Sequence, residues 1–283
     1  MATDPSSATN DADLAAKLIR HAGALAHSIR AEGLAELRAG SFTKNNAADF
    51  ATSADFAAEK YLFEQLRLAR PHDSILGEEG AVHEGTSGRC WVVDPVDGTY
   101  NFASGSTYWC VALALVEPPT FQDSGTTTDP LADAEVLLGA VYQPQEDKLW
   151  MGGTAHPATL NGHPISVDPS QNIRQLSAGT YIHPGWLARP RAALPWQQAA
   201  VLPETLRMLG AGSCDLARVA QGELGAWFQH SCPAWDWLPG KGIVRAAGGD
   251  TAVVAVNGLD WFVAGPAGAV VQLRAALERG ALP

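Results

Sequence analysis

Leu14, Leu18, Ala22, Leu25 and Ile29 recur at three- and four-residue intervals among polar residues, which predicts an amphipathic first helix ending near Gly33 or Gly40. A second helix is predicted from about Ser53 to Arg70. Thr52 to Asp55 has the Ser/Thr-x-x-acid spacing of a capping box, Phe56, Phe63 and Leu66 supply an apolar stripe, and Pro71 stops the helix. The pattern then shortens to apolar runs of strand length at Trp91 to Val93, Tyr108 to Val116, Val136 to Tyr142 and Leu149 to Met151. Such a density reads as a sheet covered by the two helices. Glu117 to Ala134, rich in Pro, Thr and Asp, reads as a mobile loop insertion, and Asn161-Gly162 is a hairpin-turn signal.

A soft boundary near Ser166 divides an N-terminal half, 1–166, from a C-terminal half, 167–283. The second half opens with a strand around Ser177 to Ile182, then a Pro/Trp/Arg-rich loop and a helix through Thr205 to Leu209. Trp186 and Trp196 are expected in that loop, mobile and free to serve an interface. A further helix carries Leu216, Val219, Ala220 and Leu224 toward Trp227, and another runs from Trp235-Asp236-Trp237 to Gly248-Gly249 with Pro239 in its first turn. Strands at Thr251 to Val256 and Trp261 to Ala264 and a last helix from Pro266 to Glu278 complete an alternating α/β pattern.

Composition narrows the class. A chain of 283 residues, 46% hydrophobic, is long enough to bury a sizeable core. Its net charge of −11 argues against a nucleic-acid or anionic-membrane surface. Cys90, Cys110, Cys214 and Cys232 lie far apart, so reduced, buried thiols are expected in place of a zinc ribbon or disulfide framework. The polar start, Met1 to Asn10, and the lack of a run of ~20 apolar residues predict a soluble, cytoplasmic protein. No G-x-S-x-G elbow, P-loop, dinucleotide loop or H-E-x-x-H motif is present.

The chemistry gathers at Asp94-Pro95-Val96-Asp97-Gly98-Thr99, fed by the apolar run Trp91-Val92-Val93. Two aspartates three residues apart cannot share one face of a regular strand, but a Pro-initiated turn can bring both side chains and the intervening carbonyl to one point. Hard divalent cations want such oxygens, and the amides of a turn that opens a helix suit a phosphate. Taken singly, each acid also has an ordinary role: Glu78 an exposed turn residue, Asp94 a turn starter, Asp97 a cap, Asp236 a helix N-cap, Asp55 the acidic member of its capping box. Lys44 reads as a solvated surface charge, and His230 as a loop histidine within reach of substrate.

Together, Gly77-Glu78-Glu79, Trp91 through Phe102, and Trp235-Asp236 with Gly248-Gly249 downstream resemble the inositol monophosphatase family. That family belongs to a lithium-sensitive, magnesium-dependent group that includes fructose bisphosphatases and bisphosphate nucleotidases. The resemblance runs from the first helix to the last strands. It implies a layered α-β-α-β-α sandwich, α+β in the first half and α/β in the second, with the site in the cleft between them. It implies a homodimer that hydrolyses a small phosphorylated metabolite with two to three Mg²⁺ ions. Inositol 1-phosphate leads as substrate; histidinol phosphate, fructose 1,6-bisphosphate and adenosine 3′,5′-bisphosphate are the alternatives. A non-catalytic phosphate-binding or scaffolding protein is the rival from another class.

The resemblance also implies roles. Glu78, Asp94 and the Val96 carbonyl would hold the ion that activates water, and Asp94, Asp97 and Asp236 its neighbour, with a third, weaker ion at Glu78. Thr99 would sit beside the nucleophilic water and bond to Asp55, while the amides of Gly98 and Thr99 face the phosphate. Asp97, Gly212 and Gln229 would contact the substrate. Gln229 stands where the family member acting on inositol phosphate carries a glutamate, so the alcohol pocket departs from that pattern.

Overall fold

The structure is a computed structural model that describes residues 10–46, 49–117 and 131–282. The first helix, α1 (Asp11–Ala31), starts where the Asn10 side chain accepts from Asp13 N, and it buries Leu14, Leu18, Ile19 and Ala22 on one face. Both glycines predicted as possible ends are ends. Gly33 precedes a separate short helix, α2 (Leu34–Ala39), which Gly40 closes. An antiparallel hairpin, β1 (Phe42–Asn46) with β2 (Asp49–Ala51), leads into α3 (Ser53–Ala69), whose capping box is complete on both sides.

An eight-stranded sheet follows from β3 (Ser74–Gly77), β4 (Val82–His83), β5 (Cys90–Asp97), β6 (Cys110–Glu117), β7 (Glu135–Gln143), β8 (Lys148–Gly153), β9 (His156–Leu160) and β10 (His163–Pro164). Its order is β10-β9-β8-β7-β6-β5-β3-β4, antiparallel except where β3 pairs with β5. A short helix, α4 (Thr99–Ala103), links β5 to β6. The predicted loop insertion from Glu117 to Ala134 falls mostly on 118–130, outside the described residues.

A five-stranded sheet is built from β11 (Ser177–Tyr181), β12 (Thr205–Arg207), β13 (Ala226–His230), β14 (Asp250–Val256) and β15 (Leu259–Gly265), in the order β12-β11-β13-β15-β14. Its helices are α5 (Pro184–Leu187), α6 (Pro190–Ala200), α7 (Gly212–Ala220), α8 (Ala234–Ala246) and α9 (Ala267–Arg279). Three apolar cores define the layers. Leu18, Ile19 and Leu62 of α1 and α3 pack on Trp91, Val93, Val111 and Leu113. The opposite face of the same strands, Val92, Ala112 and Ala114, packs on Leu216 and Val219 of α7 and Leu238 and Ile243 of α8, which also cover Trp227 and Phe262 of the second sheet. Phe228 and Val263 then meet Ala192, Ala199, Leu273 and Leu277 of α6 and α9. This is the expected α-β-α-β-α sandwich, and it explains why β5 and β6 read as unbroken apolar runs: both of their faces are covered.

Three predicted elements are corrected. Thr205 to Leu209 is not helical: Thr205–Arg207 form a strand that pairs in parallel with Ser177, Ala178 and Gly179. The Pro/Trp/Arg-rich stretch is not a loop but α5 and α6, because Pro184 and Pro190 occupy first-turn positions, where the missing N–H costs nothing. Pro195, inside α6, leaves the Arg191 carbonyl without its helical donor, and Asn257 Nδ2 donates to that oxygen at 3.1 Å. Trp186 and Trp196 are accordingly fixed inside the chain. Trp186 stacks edge-on with His230, and Trp196 Nε1 donates to Thr180 Oγ1 at 3.1 Å. The helix predicted to run toward Trp227 ends at Ala220; Glu223 N and Leu224 N both turn back to the Arg218 carbonyl, and Trp227 belongs to β13. All four cysteines are buried and unpaired, as expected.

The central layer tolerates no added volume where α8 crosses β7. A Cβ on Gly139 would lie 2.1 Å from the Pro239 carbonyl oxygen, backbone against backbone. Gly139→Ala is expected to destabilise the fold by about 1–3 kcal/mol or more, read as a lowered midpoint of urea unfolding.

Candidate functional site

The two aspartates reach one point by a route the sequence did not suggest. β5 continues as strand through Asp97, and its pairing with β6 slips between Asp94, opposite Ala112, and Asp97, opposite Cys110. That is three steps along β5 against two along β6, a bulge containing Pro95 and Val96. A bulge is where an interior strand can hold a proline, since the extra residue leaves the ladder. It also moves Asp97 onto the face that Asp94 occupies. Asp94 Oδ1 accepts from Val96 N at 3.0 Å, which pins the bulge. Gly98 then reverses the chain with φ at +87°, and its missing side chain leaves room for Ala211 and the Gly210 carbonyl, about 3 Å from where a Cβ would stand.

The third acid comes from the far half. Asp236 is the third residue of α8, where Pro233, not Asp236, is the N-cap, so its carboxylate is free to face the cleft. Carboxylate oxygens of Asp94, Asp97 and Asp236 all lie within 4.8 Å of one another. Asp97 Oδ2 accepts from Ser213 N at 2.5 Å, tying β5 to the start of α7. Asp94 Oδ2 is buried without a hydrogen-bond donor. A buried, unsatisfied carboxylate oxygen facing two more carboxylates suits a bound hard cation or, without one, a proton.

Glu78 enters from the turn after β3 and lines the same cleft with Asp97, Thr99 and Asp236. Lys44 is not a free surface charge: its Nζ lies 3.0 Å from Glu78 Oε1 and 2.7 Å from Glu79 Oε1. Burial works to lower the Lys44 ammonium's pKa, but the two glutamates raise it overall. Asp55 bonds to both Thr52 and Thr99. Its Oδ2 accepts from Thr52 N and Thr52 Oγ1 within the capping box, and its Oδ1 lies 3.2 Å from Thr99 Oγ1, which is also 3.1 Å from the Val96 carbonyl.

Two participants were missed. Glu59, one helical turn after Asp55 on the same face of α3, accepts from Glu79 N at 2.8 Å and Ala81 N at 3.0 Å, and so holds the turn that presents Glu78. The i, i+4 spacing of Asp55 and Glu59 was the available signal. Asn101 Nδ2 donates to Tyr108 O at 2.9 Å and to Leu209 O at 2.7 Å, joining the two sides of the cleft. Gly212 and Gln229 line the cleft. His230 does not: it is buried between Trp186 and Trp261, and burial pushes its imidazole down to about 4.

A family model described as "Inositol monophosphatase family" matches residues 9–279 of the chain. The chain belongs to the inositol monophosphatase family. Among its relatives, "Nus factor SuhB" of Xylella fastidiosa is 33% identical over 202 residues, covering 71% of this chain and 68% of that protein. "Inositol-1-monophosphatase" of Rhizobium meliloti is 30% identical over 204 residues, covering 71% of each. The fold matches the crystal structure of extragenic suppressor protein suhB from Bartonella henselae with a TM-score of 0.81 at 23% identity, over 95% of this chain and 98% of that one.

In this member of the inositol monophosphatase family the carboxylates work against one another. Burial, then Glu78, Asp97 and Asp236, push Asp94 well above the ordinary carboxylate range, and burial followed by Asp97 and Glu78 does the same to Asp236. Asp97 and Glu78 are raised chiefly by burial, and burial takes Asp55 up to about 7. The folded, cation-free site therefore holds protons that the unfolded chain releases from about pH 4 upward. Stability from these groups is present below that pH and is lost as pH rises toward neutrality. Asp94→Asn removes the central repulsion while keeping the acceptor for Val96 N. In EDTA, its Tm relative to the unaltered protein is expected to improve steadily from pH 5 to pH 8, measured by scanning fluorimetry.

Proposed function

We propose that the protein hydrolyses a small phosphate monoester in a Mg²⁺-dependent reaction. The observation that carries this reading is the convergence of Asp94, Asp97 and Asp236 within 4.8 Å beside Glu78 and the Thr99–Asp55 pair. In this reading Glu78, Asp94 and the Val96 carbonyl would hold one cation, and Asp94, Asp97 and Asp236 a second; Glu78 alone would anchor a third, weaker one. Bound there, the cations would neutralise phosphate charge and lower the pKa of a water molecule.

The rest falls to the chain. Thr99 Oγ1 donates to Asp55 Oδ1, which leaves its lone pairs to accept a proton from the attacking water and fix that water's direction. Asp55 Oδ1 is then where the proton ends when the water is deprotonated through Thr99. The amides of Gly98 and Thr99, where the chain turns from β5 into α4, offer donors to the phosphate oxygens, and the bare Cα of Gly98 lets them approach. Asp97, Gly212 and Gln229 meet the alcohol. A non-catalytic role would leave this set purposeless; Glu78, Asp94, Asp97, Thr99 and Asp236 are all present.

Inositol 1-phosphate is the first substrate to test, a choice supported by relatives named inositol-1-monophosphatase. Histidinol phosphate, fructose 1,6-bisphosphate and adenosine 3′,5′-bisphosphate share the bond that is broken and differ in the alcohol. The proposal includes a homodimer, as the family resemblance implies, and among the described residues no helix is long and apolar enough to cross a membrane.

Phosphate release from a panel of these esters is expected to require Mg²⁺ and to stop in EDTA; no metal-dependent release from any of them would refute the reading. Asp94→Asn is expected to reduce kcat by about 100-fold or more, since each ~1.4 kcal/mol of lost transition-state charge stabilisation is tenfold. Near-normal turnover would remove Asp94 from both cation sets.

A further inference from the structure

The cleft belongs to an acidic molecule, with a net charge of −11, and Glu78, Asp97, Asp215 and Asp236 all line it. The field of such a molecule repels an approaching phosphate ester before it reaches the site. One stretch of the chain departs from this charge balance. Between Asp168 and Asp215 the single acid is Glu204, against Arg174, Arg189, Arg191 and Arg207, and 169–203 holds no acid at all. The same stretch builds one wall of the cleft, through Tyr181, His183, Pro184, Met208 and Leu209.

Two of these arginines stand on one side chain. The guanidinium carbons of Arg189 and Arg191 lie 4.4 and 4.9 Å from the centre of the Trp186 ring. Trp186 follows the cleft-lining Pro184 by two residues in α5, and its ring lies 5.0 Å from that of His230, the neighbour of cleft-lining Gln229. The pair therefore sits at the rim of the cleft. Both arginines are exposed, and among the described residues neither forms an ion pair, whereas Arg20, Arg70, Arg89 and Arg218 each hold a carboxylate.

A guanidinium without an acid beside it keeps its field directed outward, where it acts over a Debye length. Stacking on the indole holds the planar group while its N–H edge stays free, and that edge is the one that forks onto phosphate oxygens. Less side-chain freedom is then lost when an anion is met. The backbone under the pair is fixed as well. His183 Nδ1 accepts from Gly185 N at 3.0 Å at the start of α5, and Asn257 Nδ2 donates to the Arg191 carbonyl at 3.1 Å.

We propose that Arg189 and Arg191, mounted on Trp186, form an anion-capture rim that draws the phosphate of the ester to the mouth of the cleft and takes no part in the chemical step. This rests on the phosphatase reading above and adds the residues that govern how readily its site fills. Rim charges of this kind act on association and on its salt dependence.

The test measures kcat/KM for the best ester of the panel at fixed Mg²⁺, at ionic strengths of about 0.02 M and about 0.5 M, where charges are screened over about 20 Å and about 4 Å. Arg189→Gln with Arg191→Gln is expected to lower kcat/KM about tenfold at the lower strength, to change kcat less than about twofold, and to lose most of its effect at the higher. Arg189→Lys with Arg191→Lys keeps the charge and is expected to keep most of kcat/KM. Lys17→Gln with Arg67→Gln, which removes the same charge from exposed positions of α1 and α3, is expected to keep it too. A kcat/KM unmoved by the glutamine pair, an equal loss in the lysine pair or the Lys17 and Arg67 pair, or a loss that persists at high salt overturns the proposal. Calorimetric binding of inorganic phosphate to the protein in Mg²⁺ separates the two readings. If no ester is hydrolysed, the phosphatase reading fails by itself; phosphate binding that the glutamine pair weakens at low salt alone still supports the rim, and unchanged or absent binding overturns it.

Discussion

Four carboxylates share one buried cleft, and like charges out of water repel with little screening. The surrounding architecture reads as a set of devices for holding them there. Val96 N binds Asp94 across the bulge, Ser213 N binds Asp97, and Lys44 balances Glu78. Asp236 rides in the first turn of α8, where the helix's unpaired amides favour negative charge. None of these donors satisfies Asp94 Oδ2, and the site keeps an uncompensated oxygen at its centre. Stability is given up at a cluster of acids that could hold a cation.

Holding these groups requires both halves of the sandwich to be rigid against each other. The layer of α7 and α8 does this: it packs on β5 and β6 from one side and on Trp227 and Phe262 from the other. The same two helices deliver Ser213 and Asp236 to the cleft. Asn101 adds a polar tie by donating to the Leu209 carbonyl from the opposite wall. Glu59 does the corresponding work at the upstream edge, fixing the backbone of the Glu78 turn from within α3.

The two ends of the cleft follow different physics. Around the carboxylates, Asp94 and Asp97 are buried and hydrogen-bonded to main chain, and Glu78 is held by Lys44. The far end is made of side chains that project from element ends and stay partly in water: Tyr100, Tyr181 and Met208. Changes at that end alter what fits without disturbing the acids, and a shared core chemistry can therefore serve alcohols of different shape.

Much of this was legible in the chain. The helical stripe of α1, the capping box at Thr52, the apolar runs of β5 and β6 and the candidate residues Glu78, Asp94, Asp97, Thr99, Asp55 and Asp236 announce themselves locally, because periodicity, caps and turn chemistry act over a few residues, whereas of the stripe expected on α3 only Leu66 is fully buried and Phe56 is exposed. What misled was local too: prolines at 184, 190 and 195 read as breakers, although two begin helices and the third is rescued by Asn257, more than fifty residues away. The sequence by itself determined which groups are the candidates for the chemistry. Only the tertiary structure decided that a bulge aligns Asp94 with Asp97, that Lys44 meets Glu78 and Glu79, and that Glu59 holds their turn. Each of those depends on strand register and layer packing between segments distant in the chain, and no local propensity encodes them.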